Sequence, residues 1–572
     1  MNKQAIEHSH ESKYCFYLDD KRCLIRVRTA RNDSIKKIEV IWNEWCKFWK
    51  DQIYTELKIA YSDELYDYYE TIIASERASY EYVIKITEDN GKEWFLADDG
   101  LTDDYSMGCS FLNEFMSKFP NEHDLPKLNK NLTGRLFYQI FPERFCCSDF
   151  SKKYINMKWN ERKVDNNHFM GGDIKGIISK IPYLKSLGVG GIWLNPIHPS
   201  DSAHKYDVNN YLEIDPMFGT MDDFKELLKV AHENDIKIVI DLVFNHCAYH
   251  NVLFQDVVKN GRKSKYYNWF FCDDDKPDYK KCNYLTFAHV ANMPKLNTSN
   301  PEVLDYFKNV VLFWADMGVD GFRLDVAFEV SYYFWRSIKH ALLEKHPESF
   351  FIAEDWMNSE KRLDNYQWDS LMNYPFRFAM MRYFEDDKKD SKWIVDRLSA
   401  VYVRYTNLFN HKMLNLLDSH DTPRWYNTCK FDKDFYFMSY AILMCYPGVP
   451  EIYYGNEILM EGEQDPFNRR GMEWDSKEFN GENHRTFKEI LGLRNYDAVK
   501  YGETRFGEIN GVAFIKRFNK NETITLYFYK GNKPVNLELK NVVLSHNFDG
   551  KAFSKTGFAV VKELDSHDPG CK

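Results

Sequence analysis

From Leu132 onward, short apolar runs alternate with amphipathic helical stretches for roughly 320 residues, and this alternation constrains the fold more than any other feature. The runs are Leu136–Ile140, Gly191–Asn195, Ile238–Val243, the stretch ending at Leu324, Phe350–Glu354, Leu371–Met372, Leu414–Asp418 and Glu451–Tyr454. Helix signals fall between them. Ile174–Leu187 has a helical apolar period and stops at Gly188; Thr220 can cap a helix with Asp222 and Asp223 in its first turn. Asn300-Pro301-Glu302 opens a helix that ends near Gly318, and Ser331–Glu344 is helical. Eight strands each followed by a helix predict an α/β chain built on a (β/α)8 TIM barrel, here placed at 131–498. The connection from Val243 to Asn300 is too long for a plain loop, so an inserted subdomain after strand 3 is expected at about 247–299.

The flanks have a different texture. Residues 1–125 are β-rich, with strand-like runs at Cys23–Thr29, Lys37–Ile41, Tyr80–Thr87 and Trp94–Leu96 and a hairpin signal at Asn90-Gly91. An N-terminal β-sandwich is predicted there, although Tyr61–Glu70 has the composition of a helix. Pro120–Lys130 reads as a linker. Gly511–Ile515 and Glu522–Phe528 restart a pure β pattern, so 500–572 is predicted as a C-terminal β-sandwich, with Ser566–Lys572 frayed.

Charge and composition narrow the partners. A net charge of −10 leaves no domain-wide basic footprint for nucleic acid. No stretch approaches the ~20 apolar residues of a membrane span, and no apolar run follows the charged residues at the amino terminus. The 12 cysteines are scattered without a Cys-x-x-Cys. Reduced thiols and a cytoplasmic location are expected.

In a barrel enzyme the site lies at the carboxyl ends of the strands. The polar residues there are Asp241, Asn245 and His246 after the third strand, Arg323 and Asp325 on the fourth, Glu354 on the fifth, and His420 and Asp421 after the seventh. Strand alternation sends Arg323 and Asp325 to one face, where the guanidinium is expected to keep Asp325 ionised. Any one of these residues alone reads as a strand cap or an ion pair; their joint placement points to retaining glycoside hydrolysis. That chemistry needs an ionised carboxylate as nucleophile and a protonated carboxyl as acid, ~5–5.5 Å apart, and adjacent strands ~4.8 Å apart can supply Asp325 and Glu354. Negative neighbours and burial are expected to favour the protonated form of Glu354, and Asp421 would hold sugar hydroxyls.

The motifs carry a resemblance. Asp241-Leu242-Val243-Phe244-Asn245-His246, Gly321-Phe322-Arg323-Leu324-Asp325-Val326-Ala327, Ile352-Ala353-Glu354-Asp355-Trp356 and Leu417-Asp418-Ser419-His420-Asp421 match, in order, four motifs of the α-amylase family. Met293-Pro294-Lys295-Leu296-Asn297 resembles a fifth motif, that of the neopullulanase, cyclomaltodextrinase and maltogenic amylase group. The N-terminal domain is similar to the starch-binding-type module of that group, and Tyr453-Tyr454-Gly455-Asn456-Glu457 and Asp465-Pro466 with Arg469-Arg470 fit it too.

The resemblance implies Asp325 as nucleophile, Glu354 as acid/base and Asp421 as transition-state stabiliser. It implies Asp241, Arg323, His246, His420, Asp465 and Arg469 as substrate-binding residues, and Tyr206, in His204-Lys205-Tyr206-Asp207, stacked beneath the sugar. Trp356 and Tyr374 would line the leaving-group side. It also implies a homodimer through the N-terminal domain, with a narrowed cleft for cyclodextrins, maltooligosaccharides and pullulan, and some α-1,6 or transfer activity.

Two departures stand out. Asp355 occupies a position that is often apolar and could alter the acceptor side. Cys146-Cys147-Ser148-Asp149 lacks the Asn/Asp-rich run that binds calcium in several relatives, so no metal is expected to be required. Asn245 is a calcium ligand in some amylases, with bracing of the strand end as its competing role. The rival readings are an oligosaccharide α-glucosidase or transglycosylase of the same family, and a noncatalytic glycan binder.

Overall fold

The computed structural model describes residues 1–564 apart from 46, 48–50, 77, 78, 106–112, 118–124, 126, 358, 361, 362 and 364–366. The frayed tail expected at Ser566–Lys572 and part of the expected linker lie outside the described residues.

Eight parallel strands form the central sheet: β1 (Phe137–Ile140), β2 (Gly191–Leu194), β3 (Lys237–Leu242), β4 (Gly321–Leu324), β5 (Phe350–Ala353), β6 (Ser370–Leu371), β7 (Leu414–Asn415) and β8 (Val449–Tyr453). The order runs β6-β5-β4-β3-β2-β1-β8-β7. A parallel bridge from Met372 to Leu414 joins its two ends, so the sheet is a closed barrel. The expected strand Leu414–Asp418 is cut to two residues, Leu414–Asn415.

Alternation along each strand splits the interior into layers. Phe137, Trp193, Val239, Phe350, Ile352, Leu414, Leu416 and Val449 pack together as an apolar cluster. Glycines on neighbouring strands make room for it. A Cβ on Gly191 would lie 2.5 Å from the Phe137 ring, and one on Gly321 would lie 2.6 Å from the Phe350 ring. Two residues further along β1, β3 and β4 stand Gln139, Asp241 and Arg323. The same period that buries the plug thus delivers a polar floor above it.

The helices begin where their caps predict. The Asp173 side chain accepts from Gly176 N to start Ile174–Ser186, and Thr220 and Asp223 form a capping box on Met221–Glu233. Asn300 caps Pro301–Met317 and Ser331 caps Tyr332–Lys345. The long connection after β3 holds one helix, Val252–Asn260, and three short 3-10 turns, and it returns beside the barrel through a bridge between His246 and Lys295.

Among the described residues, nine strands form the N-terminal β domain, and six antiparallel strands form the C-terminal one. Tyr61–Glu70 corrects the sequence reading: it is two strands, Ile53–Ser62 and Tyr66–Ala74, not a helix. Asp63 looks like a helix cap and does accept from Leu65 N and Tyr66 N, both at 2.8 Å, but within a hairpin turn. Cross-strand pairing overrides the local propensity. Buried Arg26, which pairs with Glu70 of its own domain at 2.7 Å, ties this domain to the barrel by donating to Val403 O at 3.5 Å and to Asn407 Oδ1 at 3.4 Å.

Candidate active site

Register sets the centre of the site. Asp241 pairs with Arg323 across β3 and β4, and Arg323 pairs with Ile352 across β4 and β5. One step beyond the strands, Asp325 N donates to Leu242 O and Glu354 N to Leu324 O, each at 3.0 Å. The ladder therefore continues through both carboxylate residues and fixes their backbones.

Arg323 is fully buried and serves three carboxylates. Its Nη1 lies 2.9 Å from Asp241 Oδ1 and 2.8 Å from Asp325 Oδ1, and its Nη2 lies 2.9 Å from Glu354 Oε2. The sequence reading expected Arg323 to hold Asp325 ionised. Arg323 does favour the ionised form of Asp325, but burial acts more strongly and pushes the carboxyl well above the usual carboxylate range, with the charges of Glu354, Asp241 and Asp421 adding to the shift. One guanidinium divided among three carboxylates neutralises none of them fully. Burial likewise pushes Asp241 up to about 6 against the pull of Arg323, and Asp421 up to about 7. The cluster titrates as a unit.

Tyr206 links the floor together. Its hydroxyl donates to Asp241 Oδ2 at 2.8 Å, accepts from Asn195 Nδ2 at 2.9 Å, and lies 2.7 Å from His420 Nε2. Its ring stacks on His420 with centroids 5.3 Å apart and planes 7° from parallel. Gln139 Nε2 lies 2.6 Å from His420 Nδ1, which makes Nδ1 the acceptor and puts the imidazole proton on Nε2. That proton faces Asp421 Oδ1, 3.1 Å away. Burial pushes the His420 imidazole far below its usual range, and His246 down to about 3, so both are neutral donors at neutral pH. Arg469 Nη2 lies 3.3 Å from Asp421 and 3.4 Å from Asp465, which brings both of those residues to the rim.

His246 stands apart from this network. Its ring stacks on Phe287 of the inserted segment, centroids 4.6 Å apart and planes 8° from parallel, and its Nε2 is buried without a hydrogen-bond partner among the described residues. Asn245 Nδ2 donates to Glu329 Oε2 at 3.0 Å, and Lys295 binds the same carboxylate. Trp356 and Tyr374 stack face to face, centroids 3.6 Å apart. Asp355 is buried, accepting from Met357 N at 2.9 Å and from the Ser359 hydroxyl.

Sequence reasoning missed Gln139, Trp193, Asn195, Phe287 and the backbone of Val326. Gln139 and Asn195 were findable, the first as a polar residue inside an apolar run and the second as the polar end of one. Trp193, whose Nε1 lies 3.3 Å from Asp241 Oδ2, reads as core from sequence alone. Val326 has a left-handed backbone, φ 45° and ψ 43°, unusual for a β-branched residue and costing roughly 1–3 kcal/mol. The turn aims Val326 N at Glu354 Oε2, 2.9 Å away.

Asp241→Asn is expected to move the acid limb of the kcat/KM profile to lower pH. Removing that negative charge eases ionisation of Asp325. Between its ordinary value of 3.8 and about 6 the folded protein holds a proton on Asp241 that the unfolded chain has released, so Asp241 costs stability increasingly as pH rises through that window. The variant should therefore also unfold at higher temperature than the parent above pH 6, read by thermal melts across pH. An acid limb that stays in place would contradict the shared-charge account.

A barrel with paired carboxylates at successive strand ends, set around a buried arginine, defines a glycoside hydrolase of the (β/α)8 class. The family model "Alpha amylase, catalytic domain" matches residues 139–498, and "Alpha amylase, N-terminal ig-like domain" matches residues 1–115. The chain belongs to the α-amylase family. It is 33% identical over 560 residues to a cyclomaltodextrinase of Thermoanaerobacter pseudethanolicus, covering 96% of this chain and 95% of the relative. It is 34% identical over 497 residues to neopullulanase 2 of Thermoactinomyces vulgaris, covering 86% and 84%. A solved cyclomaltodextrinase structure superposes with a TM-score of 0.89 at 26% identity, over 99% of this chain and 98% of that one.

Proposed function

We propose that this chain is a retaining α-glucan hydrolase that cleaves α-1,4 bonds, and some α-1,6 bonds, of cyclodextrins, maltooligosaccharides and pullulan. The observation that carries the reading is the grip of Arg323 on both Asp325 and Glu354, which presents two carboxyl groups from adjacent strand ends to one sugar. Asp325 attacks the anomeric carbon, the glycosidic C–O bond breaks, and Glu354 gives its proton to the departing oxygen. Glu354 then takes a proton from water, whose oxygen displaces Asp325. A sugar hydroxyl in place of water gives transglycosylation. Asp421, beside Arg469 and His420, would bind the hydroxyls of the distorted ring, and Tyr206 would stack beneath it.

The reading needs no metal. The α-amylase family admits calcium near the loop after β1, but the residues here do not fit it. Lys152 Nζ sits 2.9 Å from Gly171 O and pairs with Asp173, which also accepts from the Ser148 hydroxyl at 2.6 Å. The Lys152 ammonium among these oxygens supports a reading without calcium there.

We place this activity in the cytoplasm, in keeping with the unpatterned cysteines, and in a homodimer. Supporting a dimer, Ile53, Tyr54, Ile59 and Ile72 lie exposed on the sheet of the N-terminal domain. No helix among the described residues is long and apolar enough to cross a membrane. Purified protein should open β-cyclodextrin faster than it attacks soluble starch, followed by reducing ends, and should run as a dimer by light scattering. Equal or faster starch cleavage by a monomer would replace this reading with an open-cleft amylase.

A further inference from the structure

At the amino-terminal end of the barrel, away from the catalytic face, a groove of about 540 Å³ opens beside Leu136 and Gly190, the residues that precede β1 and β2. Its charge is one-sided. Six cationic side chains line it against a single carboxylate, Asp235, in a chain whose net charge is −10. Three of the cations are matched: Arg135 lies 3.1 Å from Asp235, Lys130 lies 3.5 Å from Glu348 and Lys500 lies 3.8 Å from Asp497. The other three are not. Lys185 and Lys488 are exposed in the last turns of the helices Ile174–Ser186 and Glu482–Leu491, and neither has a carboxylate partner among the described residues. The third is Arg494.

A lysine in the last turn of a helix ordinarily complements the helix dipole. That accounts for each lysine singly but not for Arg494, which is 5% exposed. Its guanidinium reaches only main-chain carbonyls, with Nη1 3.3 Å from Met444 O and Nη2 3.2 Å from Gly448 O. Its Nε is buried without a hydrogen-bond partner among the described residues. Burial pushes the guanidinium down to about 9, and the like charge of Arg517 adds to the shift. A buried cation without a counter-ion is costly, and an anion in the adjoining groove would offset that cost. The neutral wall adds a second requirement. Thr133 Oγ1 is also buried without a partner among the described residues. Tyr501 is half exposed and seated on Gly134, where a Cβ would lie 2.5 Å from the phenol oxygen. The space is that of a small organic ligand, larger than a bare oxyanion fills.

We propose that this groove is a second binding site, for a phosphorylated sugar: the phosphate meets Lys185 and Lys488 with the buried charge of Arg494 behind it, and the sugar ring lies against Tyr501. The two ammonium groups give charge-assisted hydrogen bonds to phosphate oxygens. A neutral glucan lacks the charge that the groove is built to match, and inorganic phosphate lacks the ring. The length of the barrel strands separates this site from Asp325, Glu354 and Asp421, so it stands independently of the α-glucan reading. A ligand that binds only the folded chain also stabilises it.

Calorimetric titration of the full chain at low ionic strength tests this with three probes: glucose 1-phosphate, inorganic phosphate and glucose. Glucose 1-phosphate should bind saturably and more tightly than inorganic phosphate, glucose should not bind, and the affinity should fall as salt is added. Lys185→Gln and Lys488→Gln should each weaken glucose 1-phosphate by about tenfold, and Lys488→Arg should retain it. Tyr501→Ala should weaken glucose 1-phosphate and leave inorganic phosphate unchanged. Both lysines are exposed, so these variants should melt as the parent does and open cyclodextrin at the parent rate. Glucose 1-phosphate should raise the melting temperature of the parent and not that of the double variant Lys185→Gln, Lys488→Gln. Excess maltose should not displace it. No saturable binding, parental affinity in both lysine variants, or displacement by maltose, which would place the probe in the catalytic cleft, would overturn the proposal. Equal affinity for inorganic phosphate and glucose 1-phosphate would overturn the assignment of a sugar.

Discussion

Asp325→Asn is expected to lower kcat on β-cyclodextrin by at least about 10,000-fold while leaving the fold intact. Asparagine has the shape of aspartate and can still accept from Arg323 Nη1, which lies 2.8 Å from Asp325 Oδ1. An amide oxygen cannot form the glycosyl ester, so the double displacement stops at its first step. The stability of the variant should not fall. Burial and the charges of Glu354, Asp241 and Asp421 all work against the ionised form of Asp325, and a neutral side chain relieves them. Reducing-end assays and thermal melts on the same preparations check both halves. A variant that opens cyclodextrin at a tenth of the parent rate would remove Asp325 from the nucleophile role. A glycan binder would keep its affinity in the variant and show no turnover in the parent.

Glu354→Gln separates the two chemical steps. With natural α-glucans kcat should fall by about 100- to 10,000-fold, the usual contribution of a positioned acid/base. An α-maltosyl fluoride needs no proton to leave, so its first step should survive. Its second step should stall, since glutamine cannot activate water. A covalent maltosyl adduct on Asp325 should then accumulate and be found by mass spectrometry of the peptide carrying Gly321–Ala327. Azide, which attacks without a base, should restore turnover of the fluoride and yield a glycosyl azide of retained configuration. Asp325→Asn should show neither adduct nor rescue. A Glu354→Gln enzyme equally slow with fluoride and with cyclodextrin would mean that Glu354 acts on sugar binding and not on proton transfer.

Much of the site was legible because strand periodicity is local. Arg323 and Asp325 sit two residues apart, so any strand through Gly321–Leu324 puts them on one side. Asp241, Glu354 and Asp421 were found by their positions at the ends of other apolar runs. Tyr61–Glu70 was misread for the opposite reason: its strand character comes from pairing with distant residues, and Asp63 supplies the same side-chain acceptor to a turn as to a helix cap. Asp355 stood out only as a charged residue at an often apolar position; a loop has no fixed period, so its burial and its bonds to Met357 N and Ser359 were not legible.

The sequence by itself determined the order of elements, the helix caps and the chemical identity of the groups at each strand end, since all of these depend on residues a few positions apart. Only the tertiary structure decided how charge is shared among those groups. Closing the barrel aligned β3, β4 and β5 so that one buried guanidinium meets three carboxylates, and burial then raised the cost of ionising Asp325, Asp241 and Asp421 together. The left-handed turn at Val326, the Gln139 contact that sets the His420 tautomer, and the indole of Trp356 on Glu354 also arise from contacts between separate segments. Proton positions depend on burial and on neighbours brought together through space, and no local pattern in a chain encodes either.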